Sequence, residues 1–210
     1  MQTVIWDFNG TIIDDVQLCL NIENAMLEER HMKHGYTLEQ YRSWFCFPVI
    51  KYYYKLGYTF DQGETYEHVS EEFNEMYDRW FDTVKLMPGF KEKIRESIKK
   101  GYQNIILSAS EQNHLNEQCA KLHIDQYFQE IIGTSDLLAY GKIDRARRWL
   151  NQAQVNPDDC IYIGDTVHDL ETAQALNINH CVLIAQGHQS LEVLHEHTDQ
   201  AVNTLMEVRL

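Results

Sequence analysis

Four short segments of this 210-residue chain carry residues that could do chemistry together. Thr3–Trp6 runs into Asp7, followed by Phe8-Asn9-Gly10-Thr11. Asn104–Leu107 runs into Ser108-Ala109. Gly141-Lys142 follows the run Ile131–Ile132 by one short loop, and Ile161–Ile163 runs into Gly164-Asp165-Thr166-Val167-His168-Asp169. Two carboxylates that approach each other, Asp7 and Asp165, repel unless a cation sits between them. A hard divalent ion with oxygen ligands, most naturally Mg²⁺, resolves that conflict. Such an ion also binds a phosphate oxygen and draws an anion in. Asp7 then becomes a candidate nucleophile that forms an aspartyl-phosphate. Ser108 can donate to the oxygens of the transferring group, and Lys142 can neutralise charge on Asp7 and on the phosphoryl group. Gly10 lets the backbone turn and present N–H groups to an anion.

Each feature alone has a plainer reading. An acid after an apolar run is commonly a turn residue, a lone lysine a solvated charge, and Asp165 and Asp169 suit any helix N-terminus. The order and spacing of the set, always at the ends of apolar runs, is what the plain readings leave unexplained. The runs Thr3–Trp6, Asn104–Leu107, Ile131–Ile132, Ile161–Ile163 and Cys181–Ile184 lack strict alternation, as strands buried on both faces of a parallel sheet do. Helical patterns separate them at Phe90–Lys100, Glu111–Leu122, Lys142–Gln152 and Val167–Leu176. Strands alternating with helices predict an α/β fold with a doubly wound parallel sheet. In such a sheet ligands bind beyond the carboxyl ends of the strands, which is where these polar residues fall.

Residues 15–85 read differently. They hold long helical patterns, no convincing buried strand, and aromatic-rich stretches such as Tyr41-Arg42-Ser43-Trp44-Phe45-Cys46-Phe47-Pro48. This predicts a helical insertion that rejoins the sheet near Pro88-Gly89, leaving 1–14 and 86–210 as the core.

These segments together resemble the haloacid dehalogenase superfamily of hydrolases, in its phosphoglycolate-phosphatase-like branch with a helical cap. The family's D-x-D-G-T matches Asp7-Phe8-Asn9-Gly10-Thr11 except at Asn9. Its hydrophobic run ending in Ser or Thr matches Ile105-Ile106-Leu107-Ser108, its lysine matches Lys142, and its G-D-x-x-x-D matches Gly164 to Asp169. The resemblance implies a Rossmann-like core and an aspartyl-phosphate at Asp7. It also implies Mg²⁺ held by Asp7, the Asn9 carbonyl and Asp165, with Asp169 supporting the metal site. Gly10, Thr11, Ser108, Ala109 and Lys142 would surround the phosphate. The implied activity is hydrolysis of a small phosphorylated metabolite, with residues 15–85 as the cap that selects it.

Asn9 departs from the pattern. The family's second acid protonates the leaving alcohol and then activates water, and an amide does neither. Losing that step costs about 10²–10⁴-fold in rate. The reading therefore branches. In one branch the leaving group needs no acid; in another His168 or a cap tyrosine supplies the proton. A third is phosphonate hydrolysis, for which Lys51 or Lys55 would form a Schiff base. A fourth is a fold that binds a phosphorylated ligand with little turnover. Arg42 is a candidate contact for a second anionic group on the substrate.

Composition sets outer bounds. A net charge of −14 argues against nucleic acid or anionic membrane as partner. Five widely spaced cysteines without a CxxC suit reduced thiols in a cytoplasmic protein. No run approaches the length of a membrane span. The histidine pairs His31/His34 and His195/His197 read as solvated surface.

Overall fold

The computed structural model describes residues 2–61, 63–134 and 142–210. Its strands are β1 (Thr3–Trp6), β2 (Ile13–Asp14), β3 (Lys85–Leu86), β4 (Gln103–Glu111), β5 (Glu130–Thr134), β6 (Cys160–Gly164), β7 (His180–Ile184) and β8 (Ala201–Val202). Six of them form one parallel sheet in the order β5-β4-β1-β6-β7-β8. Its helices are α1 (Val16–Glu29), α2 (Leu38–Trp44), α3 (Val49–Leu56), α4 (Tyr66–Trp80), α5 (Phe90–Lys99), α6 (Gln112–Lys121), α7 (Lys142–Ala153), α8 (Val167–Ala175) and α9 (Leu191–His195). The predicted doubly wound α/β core with a helical cap is what the chain forms.

The central strands are apolar throughout because both faces are covered. Val4, Trp6, Ile106, Ile161 and Ile163 pack with Phe90 and Ile94 of α5 and Leu115 and Cys119 of α6. Ile5, Ile105, Leu107 and Tyr162 pack on the opposite face with Ala146 and Leu150 of α7, Ala173 of α8 and Leu194 of α9. Trp6 faces Ile106 on one side and Ile163 on the other. Asp7, Ser108 and Asp165 therefore fall within one residue of the same level on or just beyond three neighbouring strands, along one edge. The strand order turns at β1, so that edge lies at the switch point of the sheet.

Two differences from the sequence reading have simple causes. β4 runs on to Glu111 rather than ending at Leu107, with a register shift against β5 between those two residues. β2, β3 and β8 were not expected; at two residues each they are too short to show a hydrophobic period. β2 and β3 pair antiparallel, Ile13 with Leu86 and Asp14 with Lys85. They form the stem from which α1–α4 rise. Tyr41, Tyr52, Tyr53 and Tyr58 are buried in this helical insert, so most of its aromatics build its own core.

The insert is clasped to the sheet side. The Arg42 guanidinium donates to the carbonyls of Gly187 at 2.8 Å and Gln186 at 2.5 Å. Gln189 Nε2 donates to the Phe45 carbonyl at 2.9 Å. Phe47 stacks on His168 with ring centroids 4.5 Å apart. The structure thus corrects the expectation for Arg42, which does not line the cleft and turns two of its donors to backbone carbonyls. Arg42→Ala removes two charge-assisted bonds and should lower stability by about 1–3 kcal/mol in urea denaturation, with faster proteolysis within residues 16–83.

Candidate active site

The edge of the sheet gathers a buried charge cluster. Lys142 Nζ, at the start of α7, donates to Asp7 Oδ1 at 3.2 Å and Asp169 Oδ1 at 2.8 Å. Asp169 is fixed by its own helix. Its Oδ2 accepts from the Thr166 N–H at 3.1 Å, the Thr166 hydroxyl at 2.7 Å and the Asp165 N–H at 3.3 Å, a capping box that opens α8. The Tyr162 hydroxyl adds a donor to Oδ1 at 3.2 Å. Asp169 thus accepts from five donors, Lys142 among them. Asp165 accepts from the Thr11 hydroxyl at 3.2 Å and from the His188 N–H at 2.6 Å. A Cβ at Gly10 (φ +68°) or at Gly187 would overlap its carboxylate, so glycine is required at both.

Charge and burial pull these groups apart. Burial raises Asp7 well above the usual carboxylate range, and Asp169 and Asp165 push the same way against Lys142. Burial, with Asp169, pushes Asp165 up to about 7 despite the opposing pull of His188. Burial also opposes ionisation of Asp169, yet Lys142 and Thr166 hold it low. Carboxylate oxygens of Asp7, Asp165 and Asp169 lie within 4.8 Å of one another. One lysine does not balance three acids, and oxygen donors so placed fit a hard divalent cation.

A second buried cluster adjoins the first. Asp15 stands at the start of α1 but caps no helix N–H. Instead it accepts from the Gly10 N–H at 2.8 Å, Asn9 Nδ2 at 2.9 Å and the Tyr77 hydroxyl at 2.7 Å. His188 Nε2 lies 3.4 Å from it, and His188 Nδ1 is 2.8 Å from the Tyr41 hydroxyl. Burial alone would lower His188, but Asp15 first and then Asp165 and Asp7 raise it to about 9. Burial would raise Asp15, yet His188, Asn9 and Tyr77 hold it low. This is a buried ion pair shared between cap and core.

The other predicted site residues fall as follows. Ser108 is buried; its Oγ donates to Ser110 Oγ at 3.1 Å and accepts from the Ser110 N–H at 3.0 Å. Ala109 lines the cleft beside it. The Gly10 N–H, expected at the anion, is spent on Asp15, and the Thr11 hydroxyl on Asp165. The Asn9 amide is fully engaged: Nδ2 reaches Asp15 and the Tyr77 oxygen at 3.1 Å, while Oδ1 accepts from Ser110 Oγ at 2.9 Å. His168 stacks on Phe47 and does not line the cleft; Lys51 and Lys55 are exposed and do not line it either. His31, His34, His195 and His197 are exposed. Gly141 lies outside the described residues.

Asp15, His188, Tyr77, Tyr41 and Ser110 were not foreseen. His188 follows the end of β7 by four residues, so the rule that picked out Asp7 and Asp165 could have found it. Asp15 had no such signal, because an acid before a helix reads as a cap. All of these line one cleft of about 200 Å³ between α1–α4 and the sheet edge, together with Asp7, Lys142, Asp165 and Asp169.

Two outcomes follow from these charges. An acid raised by burial loses folded-state stability as pH climbs from the ordinary carboxylate range to its folded pKa, here about 7 for Asp165. A divalent cation relieves that loss and competes with the proton. Mg²⁺ should therefore raise the melting temperature more at pH 8 than at pH 5.5, and Asp165→Asn should abolish the difference. Asn9→Asp turns a donor to buried Asp15 into an acceptor. It should cost about 1–3 kcal/mol at pH 8 in urea denaturation, and the cost should shrink at low pH as the introduced carboxyl takes a proton and donates again.

Comparison with known proteins agrees with this geometry. Residues 4–183 match the family model described as haloacid dehalogenase-like hydrolase. A phosphoglycolate phosphatase from Pseudomonas putida is 24% identical over 195 residues, spanning 89% of this chain and 70% of that protein. A haloacid dehalogenase-like family hydrolase from Streptococcus pneumoniae has a similar structure, with a TM-score of 0.78 at 20% identity over 96% of this chain and 93% of that one. A haloacid dehalogenase-like protein of unknown function from Agrobacterium tumefaciens aligns at a TM-score of 0.76 and 17% identity, over 99% and 95% of the two chains. The chain belongs to the haloacid dehalogenase-like hydrolase family, and within it is similar in sequence to a phosphoglycolate phosphatase.

Proposed function

We propose that the protein is a divalent-cation-dependent hydrolase of small phosphomonoesters, with Asp7 as nucleophile. The observation that carries this reading is the buried set of Asp7, Asp165 and Asp169 around Lys142 at the switch point of the sheet. The Asp7 and Asp165 carboxylates and the Asn9 main-chain carbonyl are the groups that would hold Mg²⁺. The ion, when bound, neutralises phosphate charge in a chain of net charge −14. An Asp7 oxygen attacks phosphorus, the bond from phosphorus to the ester oxygen breaks, and Asp7 carries the phosphoryl group. Water then attacks phosphorus, restoring Asp7 and releasing phosphate. Lys142 opposes the protonation of Asp7 that burial favours, and it faces the charge that builds on the phosphoryl oxygens. Ser108 and Ala109 shape the cradle on the β4 side, and Ser110 holds the Asn9 amide. Residues 15–85 cover the site, exclude water and select the substrate. Five unpaired cysteines, four of them buried, suit a reducing compartment, and a cytoplasmic location belongs to this reading.

Asn9 decides which esters turn over. Its amide is saturated by Asp15, Tyr77 and Ser110 and has no acidic proton, so the departing oxygen leaves as its own anion or draws on water. Esters of acidic alcohols, and acyl phosphates, are the natural fit. A second reading, a phospholigand-binding protein of low turnover, draws on the same saturation of Asn9. With Mg²⁺ present, p-nitrophenyl phosphate should be cleaved at least about 10²-fold faster than an alkyl phosphate. Asp7→Asn should abolish turnover without changing the circular dichroism spectrum. Equal activity of that variant would remove Asp7 as nucleophile, and tight phosphate binding at background rate would select the second reading.

A further inference from the structure

On the cap side the cleft is walled by aromatic rings, and two groups of them meet at Asn9 and Asp15. Phe45 lies against His188 with ring centroids 5.0 Å apart, and Phe47 packs edge-on to Phe45 at 5.6 Å. His188 stands 3.4 Å from one Asp15 oxygen. The other Asp15 oxygen takes the Tyr77 hydroxyl at 2.7 Å and the Asn9 amide at 2.9 Å, and Phe73 stacks on Tyr77 at 6.1 Å. Asn9 and Asp15 are thus flanked by Phe45 and Phe47, from the link between α2 and α3, and by Phe73 and Tyr77 of α4. All of these line the cleft. Phe45, Phe47 and Phe73 keep part of their surface exposed, unlike the buried Tyr41 and Tyr52. Ring surface left open to a cleft is what an apolar part of a ligand can cover.

The charges on the same walls restrict what that part can be. Among the described residues lining the cleft, the lysine, arginine and histidine side chains are Lys142, His188 and His114. Each already faces an acid: Lys142 faces Asp7 and Asp169, His188 faces Asp15, and His114 faces Asp78 at 3.6 Å. A carboxylate on the substrate would enter with no uncommitted cation among these to receive it, and burying it unpaired is costly. An uncharged ring carries no such cost. The chemistry at Asn9 points the same way, because an amide gives no proton to the departing oxygen. A phenol ionises at about pH 10, as the tyrosine side chain does. Its oxygen can therefore leave with the bonding pair as phenolate and take a proton from water afterwards.

We propose that the preferred substrate is a phosphate monoester of a phenol, its uncharged ring held by Phe45 and Phe47 on one side and Phe73 and Tyr77 on the other. This rests on the phosphomonoester reading above and narrows it, setting aside esters whose alcohol bears a carboxylate. Asp7 attacks phosphorus, the bond from phosphorus to the aryl oxygen breaks, and the phenolate departs between the aromatic walls.

The test is calorimetric binding of three phosphonates to the Mg²⁺-loaded protein: benzylphosphonate, propylphosphonate and 3-phosphonopropionate. They share the phosphoryl group and differ in carrying a ring, an alkyl chain or a carboxylate. None has a leaving group, so the comparison separates contact with the ring from the missing proton donor at Asn9. Benzylphosphonate should bind about 10-fold tighter than propylphosphonate, the worth of one or two aromatic contacts, and 3-phosphonopropionate should bind weakest. Phe73→Leu and, separately, Phe47→Leu should pull the benzyl-to-propyl ratio toward one, with melting curves confirming that each variant folds. Equal affinity for the benzyl and propyl compounds, no binding of benzylphosphonate, tightest binding of 3-phosphonopropionate, or a ratio unchanged in both variants overturns the aryl site. Mg²⁺-dependent cleavage of phenyl phosphate in that event leaves the phosphatase reading in place. Ring-selective binding with no Mg²⁺-dependent cleavage of any ester would keep the aryl site and overturn the phosphatase reading instead.

Discussion

The structure is organised around an unbalanced buried charge. Asp7, Asp15, Asp165 and Asp169 are all buried, and the described cations among them are Lys142 and His188. Burial weakens the screening of these charges, so an uncompensated acid costs several kcal/mol. Lys142 settles with Asp169 and Asp7, and His188 settles with Asp15. What remains is a deficit of positive charge between Asp7 and Asp165, whose proton affinities rise in consequence. A cation placed between the two acids would relieve that deficit and gain binding free energy from it.

Asn9 follows from the same balance. Its amide lies against the Asp15 carboxylate, itself held ionised by His188, Asn9 and Tyr77. A second ionised acid at position 9 would face Asp15 at hydrogen-bond distance with no cation to spare. The amide removes a proton-transfer group and in return satisfies a buried charge. Two functions that one carboxyl would combine are separated here: Asp15 carries the charge, and Asn9 carries the hydrogen bonds that lock Ser110, Tyr77 and Asp15 together. The departure from D-x-D-G-T is thus matched by a compensating acid six residues on, and not by disorder in the loop.

What the sequence disclosed and what it hid divide along one physical line. Asp7, Ser108 and Asp165 stand at strand ends, and strand ends are announced locally by apolar runs that stop. Asp169 was visible because helix starts have their own local chemistry, the capping box with Thr166. Lys142 was found only as one member of a set. By contrast Asp15 meets His188, and Tyr77 meets Asp15, through contacts no local pattern encodes. Arg42 shows the opposite failure. An arginine in an aromatic cap segment suggests an anion, but this one lies outside the cleft and donates to two backbone carbonyls. The stem strands and β8 were hidden by their length alone.

The cap is therefore part of the electrostatics of the site and not only its cover. Tyr77 of α4 donates to Asp15, and Tyr41 of α2 meets His188, whose N–H binds Asp165. Arg42 and Gln189 pin the same short loop, 186–189, from the cap and core sides. Lifting the cap would admit water to Asp15 and His188, weaken their pairing and free the loop that orients Asp165. Cap position and the geometry of the acidic edge are coupled through one histidine.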